Sequence, residues 1–314
     1  MTSSTMICAG IDIGKTSLDV ALIPTGETIS FANDPAGRRA LVGWLTRGGV
    51  ERVGLEASGG YERPVCEALR KADFEVALLQ PRQVRGFAHY KLKRAKNDRI
   101  DAGLIARVAA SLPQVRQARD PRLEKFDEHL RLVEQLERDR ARMKTRREAY
   151  RDKRLLRVID AEIARVDRKA TAELALLSAN IARHADLARR LALIKSVEGL
   201  GHRTAIALLI LLPELGLADR EQIASLAGLA PFDHDSGSFK GVRRIHGGRP
   251  RVRRALYAAA LPASFRWNLA CKAMYQRLRE RGKTHKQALV ACARKLLIFA
   301  NTILARGSEW VPAR

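Results

Sequence analysis

Cys8-Ala9-Gly10-Ile11-Asp12-Ile13-Gly14-Lys15-Thr16-Ser17-Leu18-Asp19-Val20-Ala21-Leu22-Ile23 is the stretch from which the N-terminal fold is read. Apolar residues run up to Asp12, Gly14 breaks the run, and Leu18, Val20 and Leu22 then alternate. This pattern predicts a strand, a tight turn and an antiparallel strand. Asp12 stands inside the first strand among apolar neighbours, where a carboxylate needs a cation or another partner to offset its desolvation. On its own it reads equally well as a turn carboxylate beside a glycine.

Outward from this hairpin, Glu27 to Asn33 predicts a third strand, and Asn33-Asp34-Pro35 ends it and opens a helix. Leu41, Trp44 and Leu45 fall at helical spacing between Gly37 and Arg47, and Gly48-Gly49 closes that helix. A fourth strand follows at Arg52 to Ala57, a helix at Glu62 to Ala72 and a fifth strand at Phe74 to Gln80. The order βββαβαβα matches an α/β ribonuclease H-like fold. Pro81 to Ala110 begins as a basic loop and becomes a helix with Ile100, Leu104, Ile105 and Val108 on its apolar face. Pro113 and Pro121 mark a domain boundary near residue 118.

The 314 residues have room for two domains or two with a connector, and 46% apolar content supports real cores. The net charge of +24 asks for a polyanionic partner, and nucleic acid fits better than a membrane. The longest apolar run, Ala205 to Pro213, is too short to cross a bilayer, and Met1 to Met6 lacks the basic start of a signal peptide. Cys8, Cys66, Cys271 and Cys292 form no Cys-x-x-Cys pair, which argues against a zinc or disulfide framework and fits a reducing cytoplasm. Aromatic residues make up 5%, so phosphate contact by Lys and Arg explains binding better than base stacking does.

Leu123 to Leu193 has no Gly or Pro, and its apolar residues step by three and four, notably from Ile159 to Ile181. Long helices forming an antiparallel or oligomeric coiled coil are expected over 119–192, with a bend between Arg138 and Arg154 or one continuous helix. The arm is either a solvated spacer or a self-association surface. From 193 to 314 a mainly helical domain is expected. Within it, Val197-Glu198-Gly199-Leu200-Gly201 has the form of a helix-hairpin-helix turn or of an ordinary helical turn, and Phe232 to Pro250 is a polar glycine-rich loop.

Three carboxylates join Asp12. Glu56 lies in or just after the fourth strand, before Ser58-Gly59-Gly60, and that strand should neighbour the first in this fold. Asp98 and Asp101, three apart in Lys96-Asn97-Asp98-Arg99-Ile100-Asp101-Ala102, share a helix face. Four converging carboxylates repel unless divalent cations neutralise them, and two magnesium ions about 4 Å apart are the usual solution in phosphoryl transfer. Asp12-Ile13-Gly14-Lys15 also resembles the first phosphate loop of sugar kinases and actin-like ATPases, but no second phosphate loop or adenosine loop follows residue 120. The other chemical region is the loop with Ser236-Gly237. Lys240, Arg243, Arg244, Arg249, Arg251, Arg253 and Arg254 surround a serine that is either a turn residue or a nucleophile toward a phosphate. Lys91, Lys93, Arg94, Arg243, Arg244 and Arg249 are the candidate nucleic-acid contacts.

The chain resembles the insertion-sequence-110 family, the DEDD transposases that include the Piv DNA invertase. The resemblance lies on Asp12-Ile13-Gly14-Lys15, Glu56-Ala57-Ser58-Gly59 and Asn97-Asp98-Arg99-Ile100-Asp101-Ala102. It continues on Val197-Glu198-Gly199-Leu200-Gly201, Gly228-Leu229-Ala230-Pro231, Ser236-Gly237, Gly241, Gly248-Arg249 and Arg254-Ala255-Leu256-Tyr257. It implies a RuvC-like metal domain over 1–118, a coiled-coil arm over 119–192 and a transposase domain over 193–314 with Ser236 as catalytic serine. Asp12, Glu56, Asp98 and Asp101 are then catalytic metal ligands for Mg2+, with Mn2+ able to substitute. The implied activity is RNA-guided transposition of donor into target DNA through a serine–DNA covalent intermediate, with a structured bridge RNA as guide. A homo-oligomer, dimer or tetramer, acting at the nucleoid of a prokaryotic cytoplasm and away from membranes, completes that expectation. The alternatives are a RuvC-like, metal-dependent junction nuclease using water, and a nucleic-acid-binding protein without catalysis.

Overall fold

The computed structural model describes residues 6–91, 98–115, 120–232 and 244–311, with the side chains of 98–100 outside that description. Two compact units divide the chain, Met1–Ala118 and Arg119–Arg314.

The first unit contains the strands β1 (Cys8–Ile13), β2 (Ser17–Ile23), β3 (Thr28–Ala32), β4 (Arg52–Glu56) and β5 (Glu75–Leu79). They form one mixed sheet in the order β3-β2-β1-β4-β5. The first three run antiparallel as hairpins, and β4 and β5 run parallel to β1. This is the ribonuclease H-like arrangement expected from the element order. On one face α1 (Pro35–Arg47) and α2 (Glu62–Lys71) cover Ala9, Ile11, Ile13, Val53 and Leu55. The other face, with Ala77 and Leu79, takes α3 (Pro81–Tyr90) and α4 (Asp98–Ser111). Alternation along each strand makes this division.

Helix α4 lies very close to the sheet, and two glycines permit it. A Cβ on Gly10 would collide with the Ala102 carbonyl and the Ala106 backbone, and one on Gly54 would come 2.7 Å from the Ala109 Cβ. Buried Arg52 ties the far end of α4 to the start of β4. Its Nη1 donates to the carbonyls of Ala109 and Leu112 at 2.9 and 2.7 Å, and its Nε donates to Glu75 at 2.7 Å. The C-terminal end of α4 is thus held at the beginning of β4, so its N-terminal turn points toward the other end of the strands.

Pro81 to Tyr90 was expected as a basic loop and is instead a helix. Pro81 stands at its first position, Gln80 and Gln83 form a reciprocal capping box, and Val84 is buried. Its basic residues Arg82 and Arg85 mark only the exposed side of an amphipathic helix.

In the second unit α5 (Pro121–Arg147) and α6 (Lys153–Ala182) pair as an antiparallel hairpin. Arg147–Asp160, Arg140–Asp167 and His129–Glu173 step down it in opposite directions along the two helices. Asp152 caps α6 through the amides of Arg154 and Leu155, which sets the bend within the polar interval. Val166, Ala170, Leu177 and Ile181 of the apolar stripe are buried within the chain. At the base, Leu123, Phe126, Leu130, Leu177 and Ile181 share one core with α7 (Ala185–Ser196), α8 (His202–Leu211), α9 (Arg220–Leu226), α10 (Pro250–Pro262), α11 (Leu269–Glu280) and α12 (His285–Arg306). Helix α8 is buried from Thr204 to Leu211 and forms the middle of that core. Helix α12, not singled out from the sequence, is long and apolar enough by composition to cross a membrane. Half of its apolar stretch is buried in the core, Leu289, Cys292, Leu296 and Ala300 included.

A charge network holds the base of the hairpin. Arg251 of α10 pairs with Asp127 and, at 2.7 Å, with Glu134, while Arg203 of α8 reaches Glu137 at 2.9 Å. Burial works to raise the Asp127 carboxyl, but Arg251 and then Arg131 outweigh it and hold it below the usual carboxylate range. A depressed folded value means the contribution is complete above the unfolded value, about 3.9, and is lost as pH falls through the folded one. Asp127→Asn should therefore lower stability by about 3 kcal/mol at neutral pH, leaving Arg251 poorly compensated. Chemical denaturation at pH 7 and pH 3 checks this, and the gap between wild type and variant should shrink at the lower pH.

Candidate active site

Asp12 and Glu56 leave the sheet on the face that α4 covers, following Gly10 and Gly54 by two residues on each strand. Ile11 and Leu55 are the last registered pair between β1 and β4, so Asp12 and Glu56 stand one step further along neighbouring parallel strands. Both are half-buried, as is Asp101 in the first turns of α4. The backbone of Asp98 begins that helix, and its side chain lies outside the description. Among the described residues, no three His, Cys, Asp or Glu side chains are gathered tightly enough to hold a metal ion. The donor chemistry nevertheless fits a hard divalent cation, since every candidate ligand at this end of the sheet is a carboxylate.

The structure adds two carboxylates that the sequence did not single out. Asp19 lies directly opposite Asp12 across the β1–β2 pair and therefore on the same face, with the Ser30 hydroxyl donating to it. Hairpin register was the missing signal. Glu62, in the first turn of α2, accepts from the Ser58 amide at 3.1 Å, the Ser58 hydroxyl at 3.0 Å and the Gly60 amide at 2.8 Å. Burial pushes its carboxyl up, but these bonds and its own backbone amide prevail and hold it below the usual range. Glu62 thereby fixes the turn that leaves Glu56.

In the second unit, Ser236, Ser238, Arg243 and the histidine at 234 lie outside the described residues, as do Lys93 and Arg94 of the first unit. The two ends of the segment containing Ser236 are joined. Pro231–Phe232 (β6) pairs antiparallel with Arg244–Ile245 (β7). Beneath this pair Gly228 and Gly248, both at positive φ, pack backbone to backbone, and a Cβ on Gly248 would come within 2.8 Å of the Ala227 carbonyl carbon. The Arg249 amide donates to the Leu226 carbonyl at 2.8 Å.

The basic residues around this loop divide into two groups. Arg249 makes a two-pronged pair with Glu214 at 2.6 Å and donates to the Leu211 carbonyl. Arg251 belongs to the Asp127 network, and Arg253 donates to the carbonyls of Gly228 and Gly247. Arg249 and Arg253 brace the base of the loop, and Arg251 braces the helical hairpin. Arg244 and Arg254 are exposed. Lys91, at the end of α3, is exposed with its ammonium 5.3 Å from the Tyr90 ring centre.

Two family models match this chain in succession, the first running past the boundary between the two units into the helical hairpin. The transposase model DEDD_Tnp_IS110 matches residues 9–153, and the model of the transposase IS116/IS110/IS902 family matches residues 191–276. The pilin gene-inverting proteins of Moraxella lacunata and Moraxella bovis are each 27% identical over 312 residues, 94% of this chain and of theirs. An uncharacterized 43.6 kDa protein of insertion element IS110 from Streptomyces coelicolor is 36% identical over 115 residues, 36% of this chain and 28% of its own. Among solved structures, Thermus thermophilus RuvC in complex with a Holliday junction substrate aligns at 18% identity over 33% of this chain and 91% of its own, with a TM-score of 0.28. Two family models matched in order along one chain, together with relatives aligned almost end to end, place this protein in the IS110 family of transposases.

Proposed function

We propose that this transposase cuts and exchanges DNA strands by covalent serine chemistry guided by a structured RNA. The observation that carries the metal half of this reading is the placement of Asp12 and Glu56 at one level on adjacent strands, on the face covered by α4. Asp12, Glu56, Asp98 and Asp101 would hold a divalent cation, Mg2+ or Mn2+. A bound ion there would supply Lewis-acid polarisation of a phosphoryl oxygen. Glu62 keeps the turn after Glu56 in place, and Arg52 keeps α4 seated on the sheet.

The serine half rests on the loop whose ends are pinned by β6, β7 and the Gly228–Gly248 contact. Such a base supports a reactive loop on a rigid scaffold. In the proposed step the Ser236 oxygen attacks a backbone phosphorus, a bond from phosphorus to a deoxyribose oxygen breaks, and the proton leaves with the released hydroxyl. The exposed Arg244, together with Lys91, Lys93, Arg94 and Arg243, would contact phosphates. Arg249, held by Glu214, acts here by bracing the loop.

The pilin gene-inverting relatives have by their name an inversion role, and DNA as partner is carried over from them to this chain. Guidance by an RNA encoded beside the gene, and assembly as a dimer or tetramer, belong to the same proposal. It is tested by reconstituted recombination between donor and target plasmids, with light scattering of the RNA-bound protein. Joined product should require both the RNA and a divalent cation, and the scattering mass should exceed one chain. Product formed at full rate without RNA would remove guidance, and product formed in excess chelator would remove the metal.

A further inference from the structure

Four of the fourteen exposed large hydrophobic side chains among the described residues fall within nine positions, Leu261, Phe265, Trp267 and Leu269. Trp267 is 63% exposed and Leu269 71%. Aromatic residues are scarce in this chain, so two open rings two residues apart are a local concentration that its overall composition hides.

The backbone that presents them is firmly held. After Pro262 the chain leaves α10 through a π-helical turn, Ala263–Trp267, a wide turn frequent at functional sites. Asn268, 2% exposed, closes it. Its Nδ2 donates to the Glu198 carbonyl at 2.9 Å, and its Oδ1 accepts from the Cys271 amide at 3.0 Å. Phe265 meets Tyr275 edge-on at 5.0 Å between ring centres, and the Tyr275 hydroxyl is hydrogen-bonded to His285 Nδ1 at 2.7 Å. A ring held as Phe265 is loses little entropy when it binds a flat partner.

Charge selects the partner. Between 261 and 286 there are seven lysines and arginines against one acid, Glu280, and Arg266, Lys272 and Lys283 are exposed. A second copy of this chain would bring the same positive patch on a protein of net charge +24, which opposes pairing here. A polyanion with flat apolar faces suits both features, and a duplex keeps those faces stacked inside.

We infer that the π-turn surface of Phe265 and Trp267 is a stacking site for unpaired nucleobases, with the surrounding arginines and lysines holding the strand's phosphates. This rests on the nucleic-acid reading above and adds a single-strand site to it. The sources are an unpaired loop of an RNA or a DNA strand opened during exchange, and separate RNA and DNA probes distinguish them.

The test uses the full chain with single-stranded DNA, single-stranded RNA and duplex DNA, each carrying one 2-aminopurine, with binding followed by fluorescence anisotropy. Trp267→Ala should weaken one or both single-strand complexes roughly ten- to a hundredfold, remove the 2-aminopurine quench, and leave duplex affinity within about twofold. A loss on RNA alone assigns the site to RNA, and a loss on DNA alone assigns it to an opened strand. Trp267→Phe should recover most of the affinity and Trp267→Leu little, which separates stacking from mere apolar area. Unchanged single-strand affinity with the quench retained overturns the site, as does an equal loss on duplex. A fall in mass by light scattering in Trp267→Ala would assign the surface to a second copy and overturn it too. In the first of these cases intact duplex binding leaves the nucleic-acid reading standing, whereas wild-type protein that binds none of the three probes removes that reading itself.

Discussion

Asp12→Asn should lower recombination by roughly a thousandfold, the loss expected when several kcal/mol of metal-assisted stabilisation is removed at 1.36 kcal/mol per tenfold. Its thermal stability should stay level or rise. Asp12 faces Asp19 directly across the hairpin, and like charges in that position oppose folding. Removing one of them relieves the sheet while it disables the proposed ligand set. Asp12→Asn keeps the shape of the side chain, so a lost reaction cannot be assigned to a hole in the packing. The two readouts are a plasmid recombination assay and a melting curve of the same preparation. A variant that melts several degrees lower while recombining normally would make Asp12 a structural residue and remove it from the chemistry.

Ser236→Ala should abolish the covalent protein–DNA adduct and strand exchange, with affinity for DNA and RNA unchanged. A serine hydroxyl is a weak nucleophile at neutral pH, so its removal leaves nothing at that position to replace it. Ser238→Ala is the matching control and should keep most of the activity. Ser236→Cys tests the same oxygen differently, because a thiolate is nucleophilic but larger, and a trace of adduct is expected. Adduct formation on denaturing gels and anisotropy binding together separate lost chemistry from lost binding. DNA cut by Ser236→Ala at the wild-type rate would support the water-using nuclease in place of the recombinase.

The N-terminal sheet was legible because its signals are local. The break at Gly14, the alternation of Leu18, Val20 and Leu22, and the stop at Asn33-Asp34-Pro35 each act within a few residues, and the observed strands begin and end there. Asp12 and Glu56 were readable as neighbours because strand order follows from connection type. Asp19 was not, since its position opposite Asp12 depends on hairpin register. The helix at Pro81 was hidden because Arg82 and Arg85 were read together with the basic run that follows the helix, Lys91 to Lys96, which suggested a loop until the capping pair and the buried Val84 were seen.

The basic residues near the Ser236 loop show the limit most clearly. In sequence Arg244, Arg249, Arg251, Arg253 and Arg254 are one cluster, and net charge treats them alike. In the fold Arg249 and Arg251 meet acids far away in sequence, Glu214, Asp127 and Glu134, and Arg253 meets backbone carbonyls. Such pairings are long-range and leave no local mark. The aromatic turn is the converse case, where a chain-wide percentage hid a concentration within a few residues.

The serine chemistry proposed for this protein requires a covalent bond between Ser236 and a DNA phosphate. Its most direct measurement is peptide mass spectrometry of the adduct trapped on a nicked suicide substrate, in which the released strand dissociates and cannot rejoin. A nucleotide-bearing peptide with the modification on Ser236, absent without divalent cation, is the expected result. Nicked product accumulating with no modified peptide, or a modification mapped to another residue, would contradict it.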